Sequence, residues 1–201
     1  MKRLAISLST CALLLGALPA HAALVTFTTT MSGANEADPN ASPATGQATV
    51  TVDDVGNTIL VDFSYAGLLG TSTAAHIHCC TPVPLTGAVP PATAVPSFPG
   101  FTTGVQAGAY SQSFSLLDAG FYNPGFLAAN GGSTTAARDA LLAGMLAGRS
   151  YLNIHSTSFP TGEIRGFLAE QPAQVPEPGS MALFALGAAG LAGWRRRKQA
   201  A

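Results

Sequence analysis

Short runs rich in valine, isoleucine, threonine, phenylalanine and tyrosine recur from residue 24 to residue 168, separated by glycine, proline, asparagine and aspartate. Runs of this length between turn-forming residues are typical of β-strands. Residues 54–57 (DVGN) predict a hairpin turn. The pattern predicts seven strands, over residues 24–31, 47–53, 58–65, 73–79, 108–116, 151–155 and 163–168.

Two segments depart from the strand pattern. Residues 82–104 are rich in proline, alanine and threonine, which predicts a long loop rather than part of a sheet. Residues 133–148 carry apolar side chains at helical spacing and end in Gly148, which predicts one amphipathic helix. We therefore expect a mostly β fold: an antiparallel β-sandwich or barrel, immunoglobulin-like or superoxide-dismutase-like, with one inserted helix.

The first 22 residues have the features of a secretory signal peptide. A charged start is followed by an apolar run over residues 4–18 and then by the small residues Ala20 and Ala22 on either side of His21. We expect signal peptidase to cleave after Ala22 and to release a domain over residues 23–170. The alternative, a short membrane anchor, is disfavoured by the length of the run and by the cleavage site.

The other end of the chain carries a second signal. A linker over residues 171–180 is followed by an apolar run from residue 181 to residue 194 and then by a basic cluster. Fourteen apolar residues are few for a permanent span, and the basic residues would stay on the cytoplasmic side. We predict a hydrophobic helix within residues 181–201 that anchors the chain transiently in the inner membrane; a retained anchor is the alternative. The signal residues are Pro176, Glu177, Pro178, Arg195, Arg196 and Arg197.

These three parts in this order resemble the PEP-CTERM family of bacterial sorting signals. The resemblance implies processing near the Pro-Glu-Pro motif by an exosortase-type membrane protease. It also implies delivery to the cell surface or extracellular matrix, in bacteria that typically make exopolysaccharide or biofilm matrix. Exopolysaccharide and other surface proteins are therefore the expected neighbours.

Charge is distributed unevenly along the chain. Between residues 23 and 194 there are three arginines, no lysine and ten acidic residues, so the body carries a formal charge of about −7. Such a domain repels nucleic acid phosphates, and nucleic acid is not an expected partner. It attracts cations or a basic partner.

Strand alternation predicts a cluster of polar side chains that has the composition of a metal site. His76, His78 and Cys80 fall on one face of their strand, and His155 falls on the polar face of another. If these strands and the last one are neighbours, the three histidines meet Glu163 and Arg165. Two histidines at i and i+2 can reach one ion, so a copper or zinc site is predicted, with His76, His78, His155, Glu163 and Cys80 as candidate ligands.

Other interpretations of these residues stay open. The histidines can instead be hydrogen-bonded to backbone or to Glu163, with Glu163 and Arg165 forming a surface ion pair of little energy. Cys79 and Cys80 are adjacent, where a mutual disulfide is geometrically strained, and no other cysteine remains after cleavage. They are then free thiols, an intermolecular link or soft metal ligands.

The same residues belong to a wider set of motifs at 32–36 (SGANE), 43–46 (PATG), 74–78 (AAHIH), 153–155 (NIH) and 162–166 (GEIRG). Their order resembles that of the CHRD domain, first named in the animal protein chordin. The resemblance implies an antiparallel β-domain and supplies no catalytic activity. The chain departs from the usual pattern at Cys79 and Cys80, where many members continue with a Gly-Pro turn, and in its long insertions.

An enzyme is not expected. Three histidines are too few for the bimetal centre of a copper–zinc superoxide dismutase, and no nucleophile elbow, phosphate loop or paired-carboxylate motif is present. The leading expectation is a non-enzymatic binding or structural module at the cell surface or in the matrix. The alternative is an extracytoplasmic copper- or zinc-binding protein.

Overall fold

The computed structural model describes residues 24–172. The predicted signal peptide and the predicted tail, from the Pro-Glu-Pro motif to the basic cluster, lie outside the described residues. The strands are β1 Leu24–Ser32, β2 Thr45–Asp53, β3 Thr58–Ala66, β4 Ser72–His78, β5 Gly108–Ser115, β6 Tyr151–Ser156, β7 Ile164–Phe167 and β8 Ala169–Glu170. The α-helices are α1 Pro124–Ala129 and α2 Thr134–Leu146, and short 3-10 turns cover Gly33–Asn35 and Ala119–Phe121.

The strands form one antiparallel sheet in the order β4-β6-β7-β1-β2-β3-β5, with β8 paired to β1, and the sheet curls into a half-barrel. Strand alternation sorts the side chains. In β3 the buried residues Ile59, Val61 and Phe63 alternate with exposed Leu60 and Asp62. The buried residues of neighbouring strands meet inside the curve and make the hydrophobic core.

Helix α2 closes part of this core. Its first turn is capped by the Ser133 hydroxyl, which accepts a hydrogen bond from the backbone N–H of Ala136. The buried side chains of Ala137, Leu141 and Met145 follow the helical period and pack into the core. Neither helix within residues 24–172 has the length and apolar character needed to cross a membrane.

The predicted mostly β, antiparallel fold is confirmed, as a single curled sheet. All seven predicted strands are present with ends within two residues of those expected, and residues 54–57 form the β2–β3 hairpin turn. The predicted helix over residues 133–148 is α2. Helix α1 and strand β8 were not predicted, because six and two residues are too few to show a period.

The proline-rich segment over residues 82–104 is a loop, as expected, and it runs along the free edge of β4. The backbone N–H of Ala92 donates to the carbonyl of Ile77, and that of Phe98 donates to the carbonyl of Ala75. The hydroxyl of Thr93 accepts from the Ile77 N–H. Because of these bonds the loop is fixed beside β4, which places its carbonyl groups near the side chains of that strand.

Candidate metal site

Strand pairing brings the three histidines to one face of the sheet. Strand β4 pairs with β6, and β6 pairs with β7, as the sequence argument required. His76 lies opposite Asn153 and His78 lies opposite Tyr151. Paired residues share a face, and His155 is two residues along from Asn153, so all three imidazoles project to the same side.

One nitrogen atom of each imidazole lies within 4.8 Å of the corresponding nitrogens of the other two. The shortest separation, 3.4 Å, joins His76 Nδ1 and His155 Nε2. Two nitrogens bound tetrahedrally to zinc at about 2.0–2.1 Å are about 3.3 Å apart. This pair is therefore already at ligand spacing, and the third nitrogen is close to it.

Backbone carbonyls fix the protonation of each ring. His76 Nε2 is 2.7 Å from the Pro96 oxygen, and His78 Nδ1 is 2.7 Å from the Val89 oxygen. His155 Nδ1 is 2.9 Å from the Pro160 oxygen. A carbonyl only accepts, so each of these nitrogens carries the hydrogen and donates it. In the neutral rings His76 Nδ1, His78 Nε2 and His155 Nε2 consequently carry the lone pairs, and those of His76 and His155 are 3.4 Å apart.

His78 has one ring nitrogen, Nε2, that is buried without a hydrogen-bond partner among the described residues. The ring stacks on Tyr151 with centroids 4.6 Å apart and planes 10° apart, so it is held in place. A buried polar atom without a partner costs about 1–3 kcal/mol and calls for an explanation. A bound ion is one.

The surroundings keep the imidazoles neutral. Burial, reinforced by the neighbouring His155, lowers the pKa of His76 to about 4. Burial likewise lowers the pKa of His78 to about 4 and lowers the pKa of His155. Neutral imidazole is the form that ligates zinc and copper, so at neutral pH the trio is in its binding form.

The structure does not bring Glu163 to the three nitrogens. Its carboxylate accepts hydrogen bonds from the Ser42 hydroxyl at 2.6 Å and from the backbone N–H groups of Leu69 at 2.6 Å and Gly70 at 3.5 Å. Burial acts to raise the pKa of Glu163, but these bonds and one from Ser156 outweigh it, and the pKa is lowered. Glu163 therefore holds two loops together as an anion.

Cys80 is not with the histidines either, because it forms a disulfide with Cys79. The three interpretations considered from the sequence, free thiols, an intermolecular link and soft ligands, are corrected by this bond. Strand β4 ends at His78, so strand alternation no longer separates the two sulfurs. They pack against α2, where the Cys80 sulfur is 3.5 Å from the Ala140 oxygen and a Cβ on Gly144 would overlap both sulfurs.

Arg165 pairs with Glu36, so the alternative in which Glu163 and Arg165 form a surface ion pair is wrong. Arg165 Nε is 3.8 Å from Glu36 Oε2, and the two residues are 4% and 8% exposed. Asn153 donates to both carboxylate oxygens of Glu36 at 3.2 Å. Burial raises the pKa of Glu36 to about 7 in spite of Arg165. The guanidinium lies 4.7 Å over the Tyr151 ring, so the network supports the ring on which His78 stacks.

The carbonyls of Val89, Pro96 and Pro160, and the stacking ring of Tyr151, were missed in the sequence. A carbonyl has no residue-type signal, so only the path of the loops reveals it. Glu36 lies within the SGANE motif at residues 32–36, which is the signal that pointed toward it.

Two family models match the chain. Residues 27–168 match the CHRD domain, and residues 174–198 match the PEP-CTERM protein-sorting motif. Comparison with curated proteins and with solved structures found no match. The sorting motif implies processing by an exosortase-type system and export to the cell envelope or surface. Both resemblances expected from the sequence are thus confirmed, and the chain belongs to the CHRD domain family and ends in a PEP-CTERM sorting motif.

Proposed function

We propose that this protein is a non-enzymatic binding domain of the cell surface or extracellular matrix, and that its ligand is a copper or zinc ion held by His76, His78 and His155. The observation that carries the proposal is the convergence of one imidazole nitrogen from each of three histidines within 4.8 Å of one another. Exopolysaccharide and other surface proteins are its neighbours in that setting.

A purely structural role for the histidines explains the geometry less well. A structural histidine gains stability when both ring nitrogens find partners, whereas here each ring uses one nitrogen and directs the other at two further imidazoles. Hydrogen bonds from the far nitrogen to carbonyl groups are the usual way in which metal-ligating imidazoles are oriented. Imidazole ligands without thiolate or carboxylate suit zinc and copper.

The described residues form no contact between a nucleophile and a histidine, which agrees with a non-enzymatic role. Within residues 24–172 each histidine is hydrogen-bonded to a carbonyl group, and none to a serine or threonine hydroxyl or a cysteine thiol. Cys79 and Cys80 are joined to each other. A nucleophile and general base in contact, which acyl-transfer enzymes require, are therefore not formed by the described residues.

Metal content of the mature protein tests the metal-binding part. The exported protein, stripped with chelator and titrated calorimetrically with zinc and then copper, should take up one ion per chain and melt at a higher temperature when loaded. The triple variant His76→Ala, His78→Ala, His155→Ala should bind none. If it fails to fold, the single variant His155→Gln, in a half-exposed position, should bind at least tenfold more weakly.

Tyr151→Phe serves as the matched control, because it alters a ring beside the site without removing a nitrogen ligand. It should keep the stoichiometry of one. A wild-type protein that stays metal-free, with an unchanged melting temperature in excess zinc and copper, would refute the metal-binding proposal.

Surface display is tested separately, by mass spectrometry of the protein recovered from whole cells and from the surrounding matrix. We expect chains that begin at Ala23, end near the Pro-Glu-Pro motif and are enriched in the matrix fraction. Recovery of the full tail from the inner membrane alone would contradict display in the matrix.

A further inference from the structure

The candidate metal site supplies three donors, which is one fewer than a tetrahedral ion uses. The His76, His78 and His155 nitrogens are the complete cluster of metal-ligating atoms within residues 24–172. Structural zinc sites are closed by four protein ligands, whereas three protein ligands leave the fourth position to water or an added ligand.

The other candidate ligands have partners of their own. Glu163 is occupied by Ser42 and by the N–H groups of Leu69 and Gly70. Cys80 is in its disulfide and contacts α2. Glu36 is held by Arg165 and Asn153. Recruiting Glu163 or Glu36 would break a buried hydrogen-bond network, and recruiting Cys80 would require reduction of its disulfide.

Charge favours an anion at that position. Three neutral imidazoles leave the charge of a divalent ion uncompensated, and the neighbouring Arg165–Glu36 pair carries no net negative charge. An uncompensated charge in a poorly hydrated site is strongly unfavourable, so the ion gains most from a negatively charged fourth ligand.

Access limits the size of this ligand. His76 and His78 are only 5% and 6% exposed, and the half-buried His155 lies at the edge. Pro96 and Pro160, whose carbonyls hold two of the rings, are exposed. Because the three rings are so little exposed, the site has room for a fourth ligand of a few atoms and not for a polymer chain.

We propose that an ion bound by the three histidines keeps one exchangeable coordination position, which takes a small anion of the size of azide or acetate. This inference rests on the proposed metal-binding function and specifies the class of ligand that the same site accepts. No covalent or redox step is part of it.

Cobalt is the probe, because Co²⁺ replaces zinc and its visible absorption reports coordination number and ligand type. The chelator-stripped wild-type protein is loaded with one equivalent of Co²⁺ and titrated with sodium azide, with acetate and with the bulkier benzoate. We expect a saturable change in the visible bands with azide and acetate. Benzoate should bind at least tenfold more weakly, because its ring is large for a site in which His76 and His78 are almost fully buried.

The possible outcomes are distinguishable. Failure of Co²⁺ to bind, in a protein that also ignores zinc and copper, refutes the proposed function itself. Stoichiometric Co²⁺ binding without any azide or acetate response overturns this inference alone, as does equal affinity for benzoate.

Two variants test whether a protein side chain occupies the fourth coordination position. Cys80→Ser and Glu163→Gln should leave the visible spectrum of the cobalt-loaded protein unchanged, because neither side chain is expected to touch the ion. A sulfur-to-cobalt charge-transfer band lost in Cys80→Ser, or a spectrum altered in Glu163→Gln, shows a closed site and overturns the inference.

Discussion

Replacing His78 by phenylalanine separates a ligand histidine from a structural one. The phenyl ring keeps the stack on Tyr151, whose centroid is 4.6 Å away, and removes both nitrogens. If His78 exists to bind an ion, the metal-free protein should tolerate the change. If the ring is a fully bonded core residue, the change should be severe.

The expected change in the free energy of unfolding follows from the loss of the two ring nitrogens of His78. Removing the buried Nε2, which has no partner within the described residues, relieves about 1–3 kcal/mol. Losing the hydrogen bond from Nδ1 to Val89 costs about 0.5–1.5 kcal/mol, since the Val89 oxygen keeps the Tyr151 hydroxyl at 3.2 Å. Crowding by the larger ring costs about 1 kcal/mol. The terms nearly cancel, and we expect the metal-free variant to stay within about 1 kcal/mol of wild type.

Urea unfolding in the presence of chelator measures this difference, and thermal melting with and without zinc measures the loss of binding. At a free zinc concentration 100 times the dissociation constant, binding stabilises wild type by about 2.7 kcal/mol, which raises the melting temperature by about 5–10 °C. His78→Phe should show no such rise. Tyr151→Phe, the matched control, should lose about 1 kcal/mol and keep the zinc response.

A variant that loses more than about 3 kcal/mol without metal and still responds to zinc refutes the reasoning. That result means that the ring is needed for the fold and that the ion, if any, binds elsewhere.

Three further changes test the surroundings of the site. Arg165→Met leaves the buried Glu36 without its partner and should cost about 3–5 kcal/mol in urea unfolding, whereas Arg138→Met, in a more exposed pair, should cost about 1 kcal/mol at most. Glu36→Gln should steepen the pH dependence of unfolding: between pH 4.5 and about 7 folded Glu36 binds a proton that the unfolded chain does not, which lowers stability by up to about 3 kcal/mol as pH rises and opposes the gain from the three histidines with lowered pKa, so the variant should gain stability with pH more steeply than wild type, and a variant with an equal slope contradicts the raised pKa. Gly144→Ala should destabilise by about 1–3 kcal/mol although alanine favours helix, because its Cβ overlaps both sulfurs of the disulfide, while Gly125→Ala in α1 should be neutral or stabilising; equal melting temperatures for the two variants contradict this packing.

The strands and the face of each histidine were predictable because strand alternation depends on local sequence alone. In β3, buried Ile59, Val61 and Phe63 alternate with exposed neighbours, and the same alternation places His76 and His78 together. Alternation does not show which strands are neighbours, and the sheet order β4-β6-β7 agrees with the neighbours assumed for the site.

The candidate ligands Cys80 and Glu163 were harder to place from the sequence, because both residues lie beyond the ends of their strands. Strand β4 ends at His78, so alternation says nothing of Cys80, and β7 begins at Ile164, so it says nothing of Glu163. The Glu163 carboxylate turns to Ser42 and the loop at Leu69, contacts that depend on how distant loops pack. Tertiary packing of this kind leaves no local pattern in the sequence.

The proline-rich loop also has a consequence for self-association. An edge strand offers unpaired N–H and C=O groups to any other strand, which favours aggregation. On β4 the Ala75 and Ile77 N–H groups are taken by the hydroxyls of Ser97 and Thr93, and their carbonyls by the loop backbone. The prolines of the loop over residues 82–104 have no N–H to donate to a further strand. The loop therefore shields the β4 edge from intermolecular β-pairing.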